Sequence, residues 1–345
     1  QLSCRPRCDA DDEDCELQCI FETKDCRDGP RVYVTNVVSN TVSVIDMGTD
    51  KVVKKIHVGK GPRGIAISPN GSVAYVSHFE GNTVSVINLE ANTVTATLPV
   101  GKGPLGLMFA PDGTEVYVVN ALDNSVTVID AVTQGQEAVI PVGREPQAIA
   151  ITRDGKVAYV TNYADNSITV LDLVAKRASA TVLVGKGPNG ITVSPNDETV
   201  YVVNYQSDTV SILDRATTRV TDTIQVGIMP TRVSFAPDGE KAYVTNSVAR
   251  TISVIDTQER KVETTLQGAS GGPTDTPDGI VVATGGARLY VTLFGGGFGR
   301  DVLVVSTLSN TEGPLKTIRV GEGPFALAIG LLNHLGRGPV PAELY

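Results

Sequence analysis

The residues best equipped for chemistry lie at the start of this chain. Cys4, Cys8, Cys15, Cys19 and Cys26 are its five cysteines, all within the first 26 of 345 residues. Each of the two C-x3-C pairs would share one face of a helical turn. Two short antiparallel helices stapled by Cys4–Cys19 and Cys8–Cys15 fit that spacing, although spacing alone does not decide connectivity. A Zn or Cu(I) thiolate site is the competing reading, against which the spacing departs from the usual zinc knuckles. An odd count leaves one thiol over. Cys26 is the candidate, as a free, modified or intermolecular cysteine. Cysteines confined to so short a segment point to an oxidising compartment. With Gln1 leading and no visible signal peptide, the sequence reads as the mature form of a secreted, extracellular or cell-surface protein.

The same segment is strongly acidic. Residues 1–30 carry nine Asp and Glu against four Arg and Lys, which leaves about −4 of the formal −9 for the rest of the chain. That overall balance argues against a general binder of phosphate backbones. Aromatic content of 5% with no Trp argues against a stacking platform for single strands. No apolar run approaches the length of a membrane-spanning helix. His57, His78 and His334 are scattered, and offer neither a metal cluster nor a triad. No cofactor and no metal are expected.

Behind these residues stands a repeat. Tyr33-Val34-Thr35-Asn36 returns at Tyr75, Tyr117, Tyr159, Tyr201, Tyr243 and Tyr290, at spacings of 42, 42, 42, 42, 42 and 47. An alternating run follows each copy, as in Thr41 to Asp46, and a further run ends in Val-Gly. A proline comes three residues after that glycine, at Pro62, Pro104, Pro146, Pro188, Pro230 and Pro324, with Pro273 taken as the counterpart in the irregular copy. Each copy reads as four short β-branched strands with turn residues between them. Seven such units predict an all-β fold, a seven-bladed β-propeller. The first copy lacks a first strand, and Phe325 to Ile329 matches one. Three N-terminal strands plus one C-terminal strand should therefore close the ring and cover its open edges. The predicted organisation is a Cys-rich arm over 1–30, a propeller over 31–330 and a tail over 331–345.

The tetrapeptides, the turns such as Ala110-Pro111-Asp112-Gly113 and the Val-Gly-Lys-Gly-Pro links resemble the YVTN family of β-propellers, over roughly residues 31 to 330. That resemblance implies a secreted or surface-associated propeller and assigns no site. The repeated Tyr, Val, Asn and strand-ending Asp residues read as scaffold.

Function should then sit where the copies differ. The links before first strands and the loops after the tetrapeptides should share one face, the upper face. Lys60, Lys102, Arg144 and Lys186 follow the link glycine in four consecutive copies, giving way to Ile228 and Glu322, and predict a basic crescent. Arg63, Leu105, Gln147, Asn189, Thr231 and Phe325 follow the link proline and should ring the channel mouth. The first-strand starts read in this way contain no acid. In the seventh copy Leu293 to Arg300 adds three residues, with Phe294 and Phe298 expected as an exposed contact pair. It is no phosphate loop, since no Gly-Lys-Ser/Thr follows. These features predict a non-enzymatic structural or interaction module. Its acidic arm would contact a protein partner or further copies of itself, docking on the crescent of its own or a neighbouring subunit. A lactonase-like or lyase-like enzyme, or a small-ligand binder using the mouth, is the alternative.

Overall fold

The computed structural model describes residues 29–268, 276–307 and 316–330; the expectations for the cysteine arm, for His334 and for the tail lie outside them. Among the described residues, twenty-eight strands form seven four-stranded antiparallel sheets. In the first blade β28 (Pro324–Gly330) pairs with β1 (Arg31–Asn36), which pairs with β2 (Thr41–Asp46) and β3 (Lys51–His57). The expected closure by three N-terminal strands and one C-terminal strand is thus present.

The core lies between blades. Seven clusters of buried residues each join two neighbouring blades. Tyr75, Val84 and Val86, for example, pack with Leu107, Phe109 and Val118 of the next blade. Second and third strands are covered on both faces and are buried almost throughout, whereas the outer strand Lys51–His57 is mostly exposed and carries the lysines. A single blade could not cover two such faces, so the ring as a whole supplies the burial.

The repeated polar residues hold this scaffold together. Asp46 caps the following turn by accepting from the backbone N–H of Thr49, and Asp172, Asp214 and Asp256 do likewise. Asn36 Nδ2 donates to the hydroxyls of Thr41 and Ser43, while its Oδ1 accepts from Gly321 N–H. This explains the invariable glycine of the Val-Gly link: a Cβ at Gly321 would lie 2.6 Å from the Asn36 side chain.

Candidate functional site

First strands line the channel, and their starts are positioned by the third residue of the tetrapeptides. The Thr35 hydroxyl donates to the Arg63 carbonyl of the next blade at 2.7 Å. Ser77 does the same to Leu105, Thr161 to Asn189, Thr245 to Asp278 and Thr292 to Phe325, at 2.5, 3.0, 2.7 and 2.9 Å. Each of these hydroxyls also accepts a backbone N–H from its own blade, as Ser77 does from Gly64 at 2.9 Å. One hydroxyl therefore clasps two blades at the level of the mouth. Val119 and Val203 hold this position in the third and fifth blades, where the side chain has no hydroxyl.

The seventh blade corrects the sequence reading. Its first strand, β24, is Pro277–Val282, and Pro277 faces Leu293 as Pro62 faces His78. The link proline is Pro277, and Pro273 lies outside the described residues. The residue after it is Asp278, so the ring does contain an acid.

A cavity of about 520 Å³ opens at this mouth, lined by Arg63, Leu105, Gln147, Asn189 and Phe325 as the spacing predicts. Thr231 does not line it. Its hydroxyl turns to Thr245 and the Asp278 carbonyl, and Arg232 reaches the cavity instead. Arg232 stands where the other six first strands carry Gly64, Gly106, Ala148, Gly190, Gly279 and Ala326. Small residues are needed there because the next blade's backbone comes close: a Cβ on Gly64 would meet the Leu105 carbonyl at 2.3 Å. The single arginine in this column is a sequence signal that the reading above passed over.

Phe325 organises the charges. The Arg63 guanidinium lies 4.5 Å from its ring centroid and the Arg232 guanidinium 5.4 Å. Phe79 and Phe294 complete an aromatic cage around Arg63, at 5.7 and 5.6 Å. Arg232 also donates to Asn189 Oδ1 at 2.5 Å and to its neighbour's carbonyl at 3.1 Å. Asp278 is only 8% exposed. Burial pushes its carboxyl up from the usual range, while Arg232, Arg63 and the Thr231 hydroxyl pull it down. Burial likewise pulls the Arg63 guanidinium down, against the attraction of Asp278. The Arg63 Nε is buried and meets no acceptor among the described residues.

The other predicted residues are more dispersed. Lys60, Lys102, Arg144 and Lys186 are all exposed on upper-face links. Arg144 is paired with Asp165 at 2.6 Å, which neutralises one member of the crescent. Phe294 is half-buried and not exposed as expected; it packs edge-on against Phe325 at 5.4 Å. Phe298 is 75% exposed. Pro30 accepts a hydrogen bond from Met47 N–H, beside the turn at the lower ends of β2 and β3. The chain therefore enters the propeller on the face opposite the lysines. Among the described residues no group of three or more His, Cys, Asp or Glu could hold a metal, and no helix is long and apolar enough to cross a membrane.

Residues 88–233 match the family described as lactonase, 7-bladed beta-propeller. The matched segment supplies Leu105, Gln147, Asn189 and Arg232 to the mouth, and leaves Arg63, Asp278 and Phe325 outside. A stretch of 41 residues is 56% identical to PE-PGRS family protein PE_PGRS18 of Mycobacterium tuberculosis, covering 12% of this chain and 9% of that protein. The chain thus spans less than a tenth of that relative's length. Among solved structures, a chain of Kuenenia stuttgartiensis hydrazine synthase superposes with a TM-score of 0.70 at 23% identity, over 78% of this chain and 92% of that one. A functionally unknown protein from Desulfotomaculum acetoxidans superposes with a TM-score of 0.73 at 14% identity, over 86% and 99%. At these identities the likeness shows the fold alone.

Proposed function

We propose that this propeller binds a small molecule in the upper mouth of its channel. One observation carries the reading: two guanidiniums and a buried carboxylate converge around Phe325 on one cavity. A volume of about 520 Å³ falls in the range of small-ligand sites. Buried charge of this kind is costly to assemble for stability alone, and such groups concentrate at functional sites. The test is ligand-observed NMR with a library of metabolite-sized acids, amines, sugars and lactones. Saturable binding that Asn189→Ala weakens is the expected result. A library without a single mouth-dependent binder would sink the reading.

The family match over residues 88–233 favours a second reading, lactone hydrolysis at the same place. Asp278 would take a proton from water as the new C–O bond forms at the lactone carbonyl. The guanidiniums would face the carbonyl oxygen while the ring C–O bond breaks, and Asp278 would return the proton to the leaving ring oxygen to give a hydroxy acid. Turnover of δ-valerolactone in a pH-stat, lost in Asp278→Asn with binding at the mouth retained, would favour the enzyme. Binding without turnover of any lactone in the library would leave the mouth as a receptor site.

A further inference from the structure

We infer that the upper mouth is built for the carboxylate of a small organic monoanion with a compact apolar body. The inference rests on the mouth being the ligand site and adds the chemical class of ligand.

The charge balance at the cavity floor comes first. Arg63 and Arg232 contribute two positive charges around one ring, and Asp278 is the buried negative charge among them. Glu80 and Glu145 lie nearby, but both are exposed at the rim. Solvent screens such carboxylates far more than a buried one. With Asp278 ionised, the floor therefore lacks one negative charge. A monoanion completes it, whereas a dianion overshoots and a cation meets two guanidiniums.

Geometry selects carboxylate among monoanions. Both guanidiniums lie over phenyl rings and line the cavity, and Arg232 already spends Nη1 on Asn189 and the Thr231 carbonyl. Planar forks of this kind match a planar carboxylate with paired hydrogen bonds. The same stacking argues against a sugar. A sugar ring would need a free aromatic face, and the Phe325 ring is flanked by Arg63 and Arg232.

The opposite wall sets the rest of the ligand. Going round the ring from Arg63, the next blades present Leu105 with Leu107 and Leu122, then the Gln147 amide. An apolar body would lie on the leucines with its carboxylate on the arginine side.

Benzoate is the probe, with benzamide as its neutral isostere and phenyl phosphate as a dianion. Binding to the full chain is followed by ligand-observed NMR titration, and folding of each variant is checked by circular dichroism. Arg232→Ala restores the small residue that six other blades carry at this position, which keeps the backbone compatible. Arg63→Gln is the second variant. The expected result is saturable benzoate binding that falls about tenfold or more in each variant and weakens with added salt. Benzamide should bind at least about tenfold more weakly than benzoate. If benzamide or δ-valerolactone binds the mouth as tightly as benzoate, and Arg232→Ala changes nothing, the carboxylate inference is overturned while the mouth stands as a ligand site. Tighter binding of phenyl phosphate than of benzoate overturns it in the same way. If no probe binds, and no compound of the wider library does, both the inference and the site assignment fall.

Discussion

At the scale of single residues, His78 shows how one substitution in a repeat creates a pH dependence. It occupies the tetrapeptide position held elsewhere by asparagine or Leu293, and it is fully buried. Its Nε2 accepts from Gly59 N–H at 3.1 Å, which leaves Nδ1 to donate to the Thr83 hydroxyl at 3.0 Å. Only the neutral ring can make both bonds, and burial lowers its pKa to about 4. An unfolded histidine titrates near 6.5. The native state therefore resists the proton that the unfolded chain accepts between these values. Stability from this group is complete above about pH 6.5, declines as the pH falls towards 4, and is lost below, by about 3 kcal/mol in all. Urea midpoints at pH 7 and pH 4.5 should diverge, and His78→Asn should remove this share of the difference. Equal pH dependence in the two proteins would refute the assignment.

At the scale of elements, the clasp between second strands and neighbouring first strands holds the site. Thr245 donates to the Asp278 carbonyl at 2.7 Å and accepts from Arg232 N–H at 3.2 Å, so it ties the two charged positions together. Thr245→Val is sterically mild, and two blades already carry valine there. It should nonetheless cost about 1–3 kcal/mol, because the buried backbone groups lose their partner. Benzoate binding should weaken with it as the Arg232–Asp278 spacing relaxes. A variant with unchanged denaturation midpoint and unchanged binding would show that the clasp is dispensable. The column of small residues beside it works by a different force. Close backbone approach dictates glycine at Gly64, Gly190 and Gly279, and Arg232 is the departure that brings a charge into the channel.

At the scale of the whole molecule, the ring brings distant chain segments together. Arg63 and Asp278 belong to the second and seventh blades, and they face the same cavity because Phe325 and β28 close the circle between them. The entry point of the chain has a consequence for the acidic arm. Residues 1–28 precede a start on the lower face, while the lysine crescent lies on the upper. If the arm meets that crescent, a neighbouring copy is favoured over its own, a heterologous contact that can propagate. Size-exclusion chromatography should then show assemblies that disappear on deleting residues 1–28. Salt should weaken them, and reductant should dissolve them where Cys26 provides the link. A monomer of unchanged behaviour with and without the arm would rule this out.

The sequence by itself determined the number of blades, the strand order and the closure, because these follow from local alternation and a 42-residue period. It also placed Arg63, Leu105, Gln147, Asn189 and Phe325 at the mouth, since a constant register carries each to the same height. The seventh contribution was misread because counting on from Tyr243 fails across the longer spacing, whereas counting back thirteen residues from Tyr290, the distance from Pro62 to Tyr75, gives Pro277. Only the tertiary structure decided that Asp278 is buried beside two arginines and that Phe294 packs against Phe325. Periodicity reports which strand and which face a residue occupies. Whether charges on different blades meet depends on closure of the ring and on desolvation, which no local pattern encodes.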